Sequence, residues 1–349
     1  MTRQSARRSV KAARRPVPPA AAPSPTFDRI YVAISLFFTG GLFLDGWAHN
    51  HILNTIESFF TPWHAVFYAG FFGTAFLLGT VLVRGLRRGL PWRRAVPPGY
   101  GLSLVGAAVF FVGGIGDLIW HTLFGIEANV EALLSPTHLI LAVGGTLLAT
   151  GPLRAAWRRR GEVAPWTAII SATTTISAFT FMTQFAQPTH TPWASWSVVQ
   201  RVMPVSQFLL YTAGISGILL QAAFFSALAL FLIRRWRIPG GGFTLILGLN
   251  ALAMAFMQDE FRQIPAFLAA GFAADILFQQ WRPSTDRVGA LRMFAFALPT
   301  LIAAFQFASI ALTDRVWWSV HLWSGSIVLS GIVGLLLSFV AAPPERTSQ

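Results

Sequence analysis

Apolar residues fill this chain in long runs, and polar residues interrupt those runs at regular intervals. A run of about twenty apolar residues spans the hydrocarbon core of a bilayer as a helix. Ten such runs are predicted, centred near residues 39, 73, 109, 145, 175, 219, 249, 273, 301 and 329. The expected fold is an all-α, polytopic integral membrane protein with its helices arranged as hairpins. Residues 27–341 form the transmembrane domain, made of a first hairpin (27–83), a second hairpin (98–157) and six further helices (163–341). Residues 1–26 are rich in Arg, Ala, Pro and Ser without apolar periodicity and read as a disordered basic tail, with a short second tail at 342–349. The first apolar run ends in DGWAH rather than at a small-residue cleavage site, so it is expected to be a retained helix.

Composition agrees with the pattern. The 349 residues are 54% hydrophobic and only 11% charged, which excludes an ordinary soluble domain, where charged residues make up nearer a quarter. The net charge of +13 does not signal nucleic acid, because the arginines gather in short clusters between apolar runs and in the tail. Arg84, Arg87, Arg88, Arg93 and Arg94 form one cluster, and Arg154 with Arg158, Arg159 and Arg160 a second. Arg234, Arg235 and Arg237 make a third, and Arg282, Arg287 and Arg292 a fourth. The alternate loops carry only Arg201, Arg262 and Arg315. The positive-inside rule then places both termini and the clusters in the cytoplasm of an inner-membrane protein. Trp47, Trp63 and Trp120 fit an aromatic belt at the outer interface.

Candidate chemistry is concentrated at the outer ends of the first two hairpins. Asp117 and His121 are four apart, so on a helix they share one face. The chain then passes Glu127 and Glu131 and re-enters a helix at Ser135-Pro136, an N-cap followed by a first helical residue, which puts His138 in the first turn. Asp45, His49, Glu57, Thr61, Pro62 and His64 follow the same order. The shared pattern, DxxxH, a loop, then Exxx[ST]PxH, predicts an internal repeat of helices 1 and 2 in helices 3 and 4. Both hairpins have the same orientation in the membrane, as parallel repeats do.

Each hairpin offers one carboxylate and two imidazoles, a set that holds a metal ion and leaves coordination positions open. With no cysteine in the chain, thiolate sites and disulfides are excluded. The expected ligands are Asp45, His49, His64, Asp117, His121 and His138. Glu57, Glu127, Glu131 and His51 are candidate accessory or outer partners. The competing reading is that the Asp and His residues are ion pairs that staple helix ends. If the hairpins lie side by side, all six ligands are expected to converge on one site.

The run GDLIWHTLFGIEANVEALLSPTH resembles one in a family of polytopic bacterial membrane proteins of uncharacterised activity. It also resembles the metal-binding run in the C subunit of copper-dependent membrane monooxygenases, where an Asp, a His four residues on and a later His share a membrane site. That second resemblance implies that Asp117, His121 and His138, or Asp45, His49 and His64, are ligands, and it favours copper over iron or zinc. In this chain the second His lies further along, follows a Ser/Thr-Pro start, and the pattern occurs twice.

Other polar residues read more plainly. His190 and His321 lie near outer ends of other spans and are expected to be interfacial hydrogen-bonders. Met182, Met203, Met254 and Met257 would suit Cu(I) but are expected to pack. Asn250, Asp275 and Gln306 lie inside spans, either as a proton or ion path or as paired groups in the bundle, the latter favoured. Asp259, Glu260 and Arg262 are expected to form a solvated outer cluster. The residues leave open three functions: a membrane metalloenzyme such as an oxidoreductase acting on a small or apolar substrate at the outer leaflet; a metal transporter, sensor or delivery protein; or a structural subunit with ion-paired hairpins. No nucleic-acid partner is implied.

Overall fold

Proline and hydroxyl residues set where the first helices begin. Helix α1 (Pro25–His51) returns as α2 (Pro62–Arg87), which starts at an N-cap, Thr61, whose side chain accepts from the His64 backbone N–H. Helix α3 (Trp92–Ala95) leads into α4 (Gly101–Phe124), and a short α5 (Asn129–Leu134) stands in the connection to α6 (Pro136–Ala149). Ser135 caps α6 as Thr61 caps α2. At Thr150-Gly151-Pro152 the path bends by 42° into α7 (Gly151–Trp157). The remainder comprises α8 (Trp166–Met182), α9 (Trp196–Val202), α10 (Gln207–Ile233), α11 (Gly242–Phe256), α12 (Ile264–Trp281), α13 (Val288–Thr313) and α14 (Val320–Ala341). The computed structural model describes residues 25–52, 60–125 and 129–343. Among these there are only isolated β-bridges and no strand. The tail expected at 1–26 lies almost wholly outside the described residues, as do Glu57, Glu127 and positions 344–349.

The fold is an all-helical polytopic membrane fold. Seven helices are long and apolar enough to cross a bilayer, and the bent pair α6 and α7 can act as an eighth. All ten predicted runs are helical, but α8 has 17 residues and α11 has 15, which is short for a straight crossing. Large apolar side chains such as Phe76, Val112, Phe272 and Leu336 point outward. That is expected where the surrounding solvent is lipid rather than water.

Helix α1 packs on α2, and α4 on α6, through glycines that let the backbones approach. A Cβ added at Gly70 of α2 would lie 2.5 Å from the Phe38 Cα, and one at Gly144 of α6 would lie 2.6 Å from the Phe110 backbone nitrogen. Phe38 stands seven residues before Asp45, and Phe110 seven before Asp117. The two rings meet edge to face at 5.2 Å between the hairpins, where Phe67 and Phe71 join them.

The opposite ends of the hairpins are tied by arginines. Arg159 pairs with the buried Asp28 of α1 at 2.5 Å, and Tyr100 donates to the other oxygen of Asp28 at 2.6 Å. Arg154 donates to the carbonyls of Gly99 and Leu147, to Ser103 Oγ and to Thr150 Oγ1. Some of the charge that reads as topology in the sequence is therefore helix-to-helix bonding.

A second core joins α8 and α10 through α14. Within it Asp275 of α12 accepts from the backbone N–H groups of Phe243 and Thr244 and from Thr244 Oγ1, capping the start of α11 from a neighbouring helix. Asn250 donates to Ser177 and Thr180 of α8. Asp275 and Asn250 hold helices together, as the favoured expectation of paired groups had it, whereas Gln306 Nε2 is buried without a hydrogen-bond partner among the described residues. The cluster near Glu260 differs from expectation: Glu260 is buried and is bonded by Arg262 at 2.8 Å and Arg201 at 3.3 Å. Arg262 also faces Asp314 at 3.6 Å, so the cluster ties loops together rather than standing in solvent.

Candidate metal centre

Helical spacing and the two hydroxyl caps bring the predicted residues together as two triads. Asp45, His49 and His64 form one group and Asp117, His121 and His138 the other, each with its ligand atoms within 4.8 Å of one another. In the first, Asp45 Oδ2 faces His49 Nε2 at 3.8 Å and Oδ1 faces His64 Nε2 at 3.5 Å. In the second, Asp117 Oδ2 faces His121 Nε2 at 3.5 Å and Oδ1 faces His138 Nε2 at 3.4 Å. The paired imidazoles stand 5.7 Å apart, centroid to centroid, in both groups. One carboxylate thus sits between two Nε2 atoms, twice.

The caps orient the second histidines. Thr61 Oγ1 lies 2.9 Å from His64 Nδ1, and Ser135 Oγ lies 2.7 Å from His138 Nδ1. The same hydroxyl that closes each helix N-terminus therefore holds an imidazole with Nε2 toward the Asp. His121 is fixed differently. Its Nδ1 bonds the Gly125 carbonyl at 3.2 Å, and a carbonyl only accepts, so the proton is on Nδ1. In its neutral form His121 directs an Nε2 lone pair at the Asp117 carboxylate, and in its doubly protonated form it makes an ion pair there.

Lone pair against carboxylate is repulsive unless a cation stands between them. A proton there would make a charged hydrogen bond of about 2.7–2.9 Å. The observed separations of 3.4–3.8 Å are longer. Two ligands at about 2.0–2.1 Å from one tetrahedral ion would lie roughly 3.3–3.4 Å apart, near the lower end of the observed range. The donor set and its spacing fit a divalent metal bound by two imidazoles and a carboxylate.

The six residues do not collapse into one six-ligand centre, as side-by-side packing of the hairpins was expected to produce. They form two groups that line a single cavity of about 620 Å³. The caps account for this, since each fixes its histidine to the Asp of its own hairpin.

The other sequence candidates divide. His51 points away, with Nε2 3.2 Å from Asp259 Oδ2 and Nδ1 donating to the Trp47 carbonyl, so it does not stand with the ligands. Glu131 is exposed on α5 and does not line the cavity. Met254 and Met257 are fully buried with Phe43 and Phe181 in a packing cluster, and Met257 fills the space beside Gly46. Met182 lines the cavity, whereas Met203 and His321 are exposed elsewhere.

Two cavity residues were not foreseen as part of the site. Tyr68 stands one helical turn after His64 and would abut any side chain added at Gly114 of α4. The i, i+4 spacing from His64 was its signal. His190, from the loop after α8, also lines the cavity, and its Nε2 is buried with no hydrogen-bond partner among the described residues. Burial pushes its imidazole down to about 4, so it is neutral at neutral pH. Nothing local in QPTHTPW predicts this, because α8 delivers it from another part of the fold. Compared with models of known protein families, with curated proteins and with solved structures, the chain finds no match.

Proposed function

We propose that this chain is an integral membrane metalloprotein in which each of the first two hairpins holds one metal ion, through Asp45, His49 and His64 and through Asp117, His121 and His138. The observation that carries the reading is the convergence, in each hairpin, of two imidazoles and one carboxylate with their ligand atoms within 4.8 Å of one another. Two imidazoles and one carboxylate suit copper or non-haem iron, with zinc as a further occupant, and they leave positions open to a second molecule. Those positions face a cavity large enough for a small-molecule ligand, which favours a membrane oxidoreductase over a closed structural site. The bound ions would supply Lewis-acid or redox chemistry, while the protein's residues hold and orient them. A transport role gains less support, because Asn250 and Asp275 are engaged in helix-to-helix bonds.

The matching offsets of Phe38, Asp45, His64 and Gly70 with Phe110, Asp117, His138 and Gly144 support a duplicated hairpin. The arginine clusters support an inner-membrane location with cytoplasmic termini and the triads on the outer side, and ten crossings keep both termini together. Single cysteines are clean probes in a cysteine-free chain. Glu131→Cys should react from outside the cell and Arg88→Cys only after permeabilisation; the reverse result would overturn the orientation.

Elemental analysis of detergent-purified protein tests the metal reading. The expected content is two ions per chain, falling in mild acid because protons compete for the imidazoles. Protein that stays metal-free after exposure to copper, iron and zinc, yet is fully stable, would establish the ion-pair staple instead.

A further inference from the structure

The cavity is longer than two metal ions and their ligands require. From His138 to Ala149, both in its wall, α6 climbs eleven residues, or about 16 Å. The two ends differ in chemistry. At one end stand both triads, His190, Gln184 and Gln258. Away from them the wall is mostly apolar, with Phe38, Phe110, Leu141, Ala142, Gly145 and Ala178 beside the hydroxyl residues Thr39, Thr146 and Thr174.

Three further observations narrow the occupant. The apolar stretch is lined in part by small residues, Ala142, Gly145, Ala149 and Ala178, which leave room beside the helices. The roughly 16 Å from His138 to Ala149 matches an extended chain of about a dozen carbons with its head group included, at about 1.2 Å of reach per backbone bond. No lysine or arginine lines the cavity among the described residues, so a carboxylate or phosphate head would find no fixed protein cation. At the polar end, by contrast, one buried atom outside the triads lacks a hydrogen-bond partner among the described residues: His190 Nε2. Buried polar atoms without partners are costly and mark where a ligand's polar group is received.

We propose that this cavity binds a single-chain amphiphile with an uncharged, hydroxyl-type head, the head placed among the triads and His190 and the unbranched chain lying along Phe38, Ala142, Gly145 and Ala149. The proposal deepens the metal-site reading by naming the class of molecule that reaches the ions. His190 acts as a positioning residue for the head. The chain enters from the lipid phase, where such molecules concentrate.

The test is photolabelling of the full-length, metal-loaded protein in lipid nanodiscs with dodecan-1-ol carrying a diazirine at its far end. Label is expected on the peptides containing residues 142–149 and 174–178. Excess unlabelled dodecan-1-ol should displace it, and dodecane or dodecanoate should do so about tenfold less well. Gly145→Leu should cut the labelling about tenfold. A Cβ at Gly145 meets the Phe38 ring at 3.6 Å and the Phe110 ring at 3.9 Å, both ordinary van der Waals contacts, so a side chain can start there without a clash. Ala178→Leu fills the cavity from the opposite wall and should do the same. His190→Leu should abolish the preference for the alcohol over dodecane while leaving chain binding intact. Label spread over lipid-facing positions such as Phe72 and Phe76 and insensitive to Gly145→Leu would overturn the proposal, as would displacement by dodecane equal to that by the alcohol. Metal content read on the same samples separates the two ideas. Labelled protein without metal sinks the metal reading alone, and metal-loaded protein without specific label sinks the amphiphile alone.

Discussion

The two hairpins carry the same candidate ligands in the same order, yet they do not give their aspartates the same surroundings. Asp117 is almost sealed, with its side chain 2% exposed, and Thr137 Oγ1 donates to its Oδ1 at 2.8 Å. Asp45 is 13% exposed, and its Oδ1 accepts no hydrogen bond among the described residues. One residue explains the difference. The position after the first-turn proline is Thr137 in the second hairpin and Trp63 in the first, and an indole cannot reach back with a hydroxyl. The second triad is thus held in place by the protein itself, whereas in the first the Asp45 Oδ1 faces only His64 Nε2, at 3.5 Å, and accepts no hydrogen bond among the described residues. A carboxylate oriented by a neighbouring donor is a better metal ligand, so the second triad is expected to bind first and more tightly.

The largest effect comes from removing the carboxylates. Asp117→Ala and Asp45→Ala should each lower the metal content by one ion, and the double variant should bind none; elemental analysis reads the result. If either single variant emptied both triads, the two ions would form one coupled network and the separate-triad picture would go. Next in size is Thr137→Val, which removes the hydroxyl but keeps the shape. It should weaken the tighter site by about 10–100-fold, with the weaker site unchanged, as metal titration would show. Equal weakening at both sites would mean that Thr137 acts on the cavity as a whole. The reciprocal exchange, Trp63→Thr, should tighten the first triad by up to about tenfold, and a loss of affinity there would show that Trp63 itself shapes the site.

The smallest effect concerns His190, the cavity residue from outside both hairpins. Burial lowers its folded value to about 4, so the unfolded chain takes up a proton first. Its contribution to stability is complete above about 6.5 and is lost as pH falls from there toward 4. Thermal unfolding of metal-free protein should therefore fall more steeply over that window in the wild type than in His190→Gln. Identical slopes would show that the imidazole reaches water in the folded state.

The sequence alone determined the helical membrane fold, because runs of apolar residues near bilayer length have one way to satisfy their backbone groups in lipid, and a helix is local. It also determined each triad. Asp45 to His49 and Asp117 to His121 are one turn apart on continuous helices, and Thr61-Pro62 and Ser135-Pro136 place a histidine in the first turn of the returning helix. A hairpin's two arms meet by necessity, so spacing was enough to bring these residues together. What spacing could not give is whatever passes between hairpins or between halves of the chain. That two triads would face one cavity without merging depends on Phe38 and Phe110 meeting across glycine contacts, a matter of side-chain volume at a helix crossing. That His51 would turn to Asp259, that Asp275 would cap α11, and that Arg154 and Arg159 would bond helices follows from partners remote in sequence. His190 belongs to the same class: a buried polar atom acquires its meaning only from the cavity it lines, and that cavity is made by residues from six helices and the loops beside them.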